Sequence, residues 1–191
     1  MTKAPSRNAI LEAMAKTLKS HGFRRRANYF DRTTPAGFKD IVSLQAGTGH
    51  LQGKVTVNMG VYIPAVGRLF DGNELKERPK VYECQIRIRL SRLAYGNDKW
   101  FDRELPTAPQ EVSSLITSCA IPFFQQFTSL KVIAEGSRSG QFPEKIVTPA
   151  LLAGVLVLMG LKEEARAVLL KRYAENPALM KRCLDALGLS L

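Results

Sequence analysis

Histidine, tryptophan and paired cysteines are scarce in this sequence. Its 191 residues include two His, one Trp and three Cys. A zinc or iron–sulfur centre needs several imidazoles or thiolates at close spacing. Cys84, Cys119 and Cys183 stand far apart, without a C-x-x-C pair, so no metal site is expected. Odd, scattered cysteines also argue against a disulfide framework and fit a reducing compartment. A hydrolytic triad needs an imidazole beside its nucleophile, and only His21 and His50 offer one. His21 follows a predicted helix and reads as a group near its C-terminal carbonyls. His50 lies in the loop Gly47–Gly53, which reads as a hairpin turn. That loop leads through Lys54 into a strand and not a helix, so it is no phosphate-binding P-loop. No cofactor is expected.

Long apolar runs are missing as well. The most apolar stretch, Pro149–Leu161, has 13 residues, short of the roughly 20 that span a bilayer. It reads as a buried helix. The N-terminal residues lack the apolar core of a secretory signal, so a cytoplasmic location without membrane contact is expected. Acidic side chains are outnumbered, 17 against 28 Lys and Arg, which leaves a net charge of +11. The excess is concentrated: the first hundred residues carry +10 of it. Such a charge favours acidic partners but does not bear on fold.

With 45 % hydrophobic residues the chain has enough apolar surface for an ordinary core. Ile10, Leu11, Met14 and Leu18 recur at helical spacing and predict a helix over Arg7–Ser20, with Ser6 as N-cap and Gly22 after its end. Four strands follow in the pattern. Phe23–Arg32 and Phe38–Ala46 flank a hairpin loop at Thr33–Gly37. Lys54–Ile63 alternates, with Val55, Val57, Met59, Val61 and Ile63 on one side. Tyr82–Leu90 alternates too, with Tyr82, Cys84, Ile86, Ile88 and Leu90 inward. Pro64–Lys80 reads as a long loop. Trp100 is expected to plug the seam between sheet and helices. Helical spacing resumes at Thr107, with a break or kink at Pro122.

These patterns predict an α+β fold: a mainly antiparallel four-stranded sheet with helices on one face and a C-terminal helical extension. The division expected is an α+β domain over residues 1–135, a Gly/Ser-rich linker over 136–147 and a three-helix tail over 148–191. The tail's apolar faces are available to the main domain or to a second copy, which leaves a homo-oligomer open.

The order of short motifs is familiar. His21-Gly22-Phe23-Arg24-Arg25 precedes Asn28-Tyr29-Phe30-Asp31-Arg32, then Leu44-Gln45, Val57-Asn58-Met59-Gly60-Val61 and Glu83-Cys84-Gln85-Ile86-Arg87-Ile88-Arg89-Leu90. Asp98-Lys99-Trp100-Phe101 and Ile121-Pro122-Phe123-Phe124 complete the set. Over residues 8–135 the chain resembles the mostly bacterial domain-of-unknown-function family 4304. Where that family has Lys-Ser after the Gln, this chain has Ala46-Gly47. The resemblance implies an α+β domain and carries no mechanism.

The chemistry with most support in the residues is a polar, basic sheet face. Alternation places Thr56, Asn58, Gln85, Arg87 and Arg89 on the side away from the helices, with Gln45. Arg24 and Arg26 share a face, and register decides whether they join. Guanidinium forks and carboxamides suit phosphate or carboxylate recognition. The expected function is a non-catalytic module that binds an acidic partner, a protein surface or a nucleic acid. An immunity-type or defence-associated bacterial protein is one example. The alternatives are a dedicated nucleic-acid-binding protein, and an enzyme acting on a small anionic substrate.

Overall fold

A computed structural model describes residues 7–72 and 76–190. The first helix, α1 (Arg7–Lys19), buries Ile10, Leu11, Met14 and Leu18, the stripe its spacing predicts. Gly22 ends it at φ +81°, and the Phe23 N–H returns to the Leu18 carbonyl at 3.1 Å. The Ser6 cap lies outside the described residues.

The run Phe23–Arg32 is two strands, not one. β1 (Arg24–Arg26) and β2 (Tyr29–Thr33) form a tight hairpin that pairs Arg26 with Tyr29 and Arg24 with Asp31. Ala27 turns the chain at φ +55°, and Asn28 ties the turn to the next strand. Its Nδ2 donates to the Leu44 carbonyl at 2.8 Å, and its own carbonyl accepts from the Leu44 N–H at 2.9 Å. β3 (Lys39–Ala46), β4 (Lys54–Tyr62), β5 (Ile86–Arg89) and the short β6 (Phe101–Asp102) complete the sheet. The described residues thus contain six antiparallel strands, where the pattern predicted four. Their order is β1-β2-β3-β4-β5, with β6 beside the start of β4.

One sheet face is dry. Phe30, Val42, Leu44, Val57 and Met59 are buried there in one continuous core with α1, α4 (Ala108–Leu115) and α5 (Ile121–Gln125). A π-type turn over Ile116–Ala120 joins those two helices, with Pro122 in the first turn of α5. Proline has no N–H to give the preceding turn, and the widened turn accommodates it. α3 (Leu90–Tyr95) leaves the sheet directly from β5.

The expected loop after β4 begins as a helix, α2 (Pro64–Asp71), which opens on a proline. Beyond it, Lys76–Gln85 crosses the other sheet face as a strap, so Tyr82–Gln85 is not strand. Tyr82 is 71 % exposed and not inward. Cys84 is buried, but with Ile41 and Tyr62 in a second small core on the face opposite the helices. The Tyr29 hydroxyl donates to the Pro79 carbonyl at 2.9 Å, and Lys39 Nζ donates to the Glu77 carbonyl. Half of the face expected to be wet is therefore covered.

Gly60 permits that cover. A Cβ there would lie 2.7 Å from both Cβ and Sγ of Cys84. Gly60→Val is expected to lift the strap at a cost of about 1–3 kcal/mol. Burial pushes the Cys84 thiol up to about 12, which keeps it unreactive. Mass-spectrometric labelling should find Cys84 protected in the native chain and modified in the variant. Equal protection in both would mean that the close approach is not needed.

The stretch expected as a linker starts within a helix. α6 (Leu130–Arg138) runs through Gly136, and Phe142 just beyond it is buried. The tail forms α7 (Pro149–Leu158), α8 (Lys162–Arg172) and α9 (Pro177–Leu187), close to the three predicted helices. Leu151, Val155, Leu156, Leu169 and Leu184 belong to the same continuous core as the sheet. α7 packs on α2, α6 and α8.

Candidate functional site

Register settles which arginines share the outer face. Arg26 pairs with Tyr29, Tyr29 with Ser43, Ser43 with Asn58 and Asn58 with Arg89. This row crosses five strands from edge to edge, roughly 19 Å at the usual strand spacing. Next to it lie Arg24, Asp31, Ile41, Gly60 and Arg87, and on its other side Gln45 pairs with Thr56. Arg25 points the opposite way and reaches Glu12 of α1 at 2.6 Å.

On this face Arg26 and Gln45 are exposed and Ser43, Asn58 and Arg89 half-buried, whereas Tyr29 is tied to the strap through its hydroxyl and Thr56, expected outward in the open, is fully buried. Asn58 Nδ2 donates to Gln45 Oε1 at 2.9 Å, which orients both carboxamides. Arg89 donates to Asp98 at 3.1 Å, and its guanidinium lies 5.6 Å from the centre of the Trp100 ring. Trp100 immediately precedes the short β6, and its ring lies against Arg89, whose pairing with Asn58 puts it on this face. Trp100 therefore does not plug the sheet–helix seam. It is half-buried beside Arg89 and adds an aromatic surface that strand alternation alone did not reveal. Trp100 precedes the two-residue β6 and belongs to no alternating run, so spacing carried no signal for its side.

The other expected residues are placed differently. Arg87 is exposed at the margin of the strap and donates to the Tyr82 carbonyl at 2.9 Å. Gln85 precedes β5, and its carboxamide is taken up locally, accepting from the Ile63 N–H at 2.7 Å. Arg24 and Arg26 are exposed at the β1 edge. His50 is exposed in a short turn after β3. Asp31 and Asp40 lie on opposite sheet faces, and Glu83 is engaged by Lys76 at 2.8 Å, which holds its carboxyl below the usual range. Among the described residues, no three His, Cys, Asp or Glu side chains gather at ligating distance, and no helix is long and apolar enough to cross a membrane.

The order of these elements has a counterpart. The family described as Domain of unknown function (DUF4304) matches residues 14–126, from the middle of α1 past the end of α5. The chain belongs to that family. No curated protein and no solved structure matches it significantly. The DUF4304 region contains the whole sheet, the strap and Trp100, and it stops short of α6 and the tail.

Within the DUF4304 region one ionic pair is buried on the helix side. Asp40 is fully buried, and its Oδ2 accepts from Arg32 Nε at 2.8 Å. Arg32 also donates to the His21 carbonyl at 2.8 Å and lies 4.6 Å from the centre of the Phe23 ring. Asp40 Oδ1 has no hydrogen-bond partner among the described residues. Burial outweighs the Arg32 interaction and raises the Asp40 pKa to about 6.

Proposed function

We propose that this protein is a non-catalytic binding module of the cytoplasm that takes an acidic partner along its outer sheet face. The observation that carries this reading is the row Arg26–Tyr29–Ser43–Asn58–Arg89, with the Gln45–Asn58 pair and Trp100 beside it. Arginines at both ends would engage anionic groups roughly 19 Å apart. The carboxamides between them would accept and donate hydrogen bonds, and Trp100 offers apolar contact next to Arg89. With the strap on one side and holding Tyr29, the accessible band runs from Gln45 and Ser43 through Asn58 to Arg89, with Arg26 at the far edge, which suits an extended acidic segment.

Binding of a fluorescent heparin hexasaccharide, followed by anisotropy across salt concentrations, tests this. Arg26→Gln/Arg89→Gln is expected to lower the log–log salt slope by about two, one for each cation removed. Lys171→Gln/Arg182→Gln in the tail should leave it unchanged. Equal losses from both variants would mean diffuse charge and no site. A single-stranded RNA 12-mer and a polyglutamate peptide then separate the partner classes: tighter binding of the RNA would make the partner a nucleic acid.

A further inference from the structure

A cavity of about 580 Å³ opens beside β5, the end strand of the main path, between α3, α5 and the segment 141–146 that leads towards α7. Its floor is apolar. Phe123 meets Phe127 edge-on with ring centres 5.0 Å apart, and Phe127 meets Phe142 at 4.9 Å. Leu93 and Ile146 form its walls. The polar lining is of one kind: Arg87, Arg92 and Lys145, with the carboxamides of Gln126 and Gln141, and no acidic side chain.

These three cations are poorly compensated. Arg87 spends one N–H on the Tyr82 carbonyl, which anchors the guanidinium and leaves its other donors. Arg92 has a 3.9 Å approach to Asp98, a carboxylate that Arg89 already engages at 3.1 Å. Lys145 makes no ion pair among the described residues. Like charges around one concavity repel, and low-dielectric walls focus their field on whatever enters it. The volume falls in the range of small-molecule sites, and the recessed phenylalanine floor offers burial that a flat surface does not.

We propose that this cavity binds a small amphipathic anion. Its apolar body rests on the Phe123–Phe127–Phe142 floor, and its carboxylate or phosphate head is held by Arg92 and Lys145, with Arg87 at the margin. The site stands apart from the sheet-face reading, because it uses neither Arg26 nor Trp100.

Calorimetric titration with octanoate, octyl phosphate and octanol tests it. At least one of the two anions should bind, and octanol should bind about tenfold or more weakly, since a charge-assisted head-group contact is lost. The tighter anion identifies the head group. Arg92→Gln/Lys145→Gln, both exposed positions with little effect on folding, should weaken anion binding about tenfold or more and leave octanol unchanged. Arg26→Gln/Arg89→Gln should leave both unchanged, so failure here and failure of the sheet-face site are told apart. The proposal is overturned if neither anion binds, if octanol binds as tightly, or if the Arg92/Lys145 variant binds as the native chain does.

Discussion

Arg32→Ala is expected to destabilise the protein by about 3–5 kcal/mol at pH 8 and much less at pH 5, as measured by urea denaturation at both pH values. Arg32 is the hydrogen-bond partner of Asp40 Oδ2, and Oδ1 has none among the described residues. Removing the guanidinium leaves an ionised carboxylate buried and alone. At low pH the carboxylate escapes that state by taking up a proton, and only the contacts to His21 and Phe23 are lost. Asp40→Asn in the same background should restore most of the loss at pH 8, because it removes the stranded charge. A loss that is equal at both pH values would show that Asp40 is not the group responsible.

The native pair has its own pH signature. The Asp40 pKa is raised in the folded chain, from 3.8 to about 6. The folded state then holds this proton more tightly than the unfolded chain. The contribution of Asp40 to stability is greatest below about pH 4 and falls as pH rises to about 6. Glu83, Glu111 and Glu164 act in the opposite direction, since Lys or Arg partners hold their carboxyls below the usual range. The difference between the native chain and Asp40→Asn isolates the Asp40 part. Because Arg32 joins β2 to the end of α1 through the His21 carbonyl, that part reports on how the sheet is fastened to its covering helix.

The second large effect is expected where α6 meets the chain that follows it. Gly136 lies within the helix, and a Cβ there would overlap Cδ2 and Cε2 of the buried Phe142 ring. Gly136→Ala improves helix propensity by about 1 kcal/mol, so propensity alone predicts stabilisation. We expect the opposite, a net loss of about 2–4 kcal/mol, because expelling Phe142 forfeits most of the burial of a phenylalanine. Phe142→Ala should lose about 3–5 kcal/mol, and the double variant little more than that, since the clash disappears with the ring. Thermal denaturation of the four chains measures the coupling. Additive losses would mean that the two residues do not share one contact. Phe142 also floors the proposed anion cavity, so Phe142→Ala should weaken octanoate and octanol alike.

These effects fall where the sequence was least readable. Strict alternation over Lys54–Ile63 identified the inner residues of β4, and they are buried. Apolar spacing located α1 and the three tail helices within a few residues. The placement of Arg24 and Arg26 with Asn58 and Arg89 was open until the pairing was known, because a one-residue shift of register would have reversed it. The hairpin turn at Ala27-Asn28 carries no glycine and only a weak turn signal, so β1 and β2 read as one strand. Alternation from Tyr82 to Leu90 suggested one continuous strand as well. Its first half is instead a strap, which places Cys84 on the outer face against Ile41 and Tyr62.

The order of residues along the chain is enough to specify the α+β class, the first helix, the inward residues of β4, the tail helices and the concentration of positive charge in the first hundred residues. All of these follow from local periodicity and composition, which record which neighbours along the chain share a face. Tertiary structure alone decided what covers each face. It brought the strap over half of the outer sheet, Trp100 beside Arg89, Arg32 onto Asp40, and Phe142 against Gly136. Those contacts join residues from 6 to 50 positions apart. No local pattern specifies them, because the free energy that selects them arises only once the distant surfaces have met.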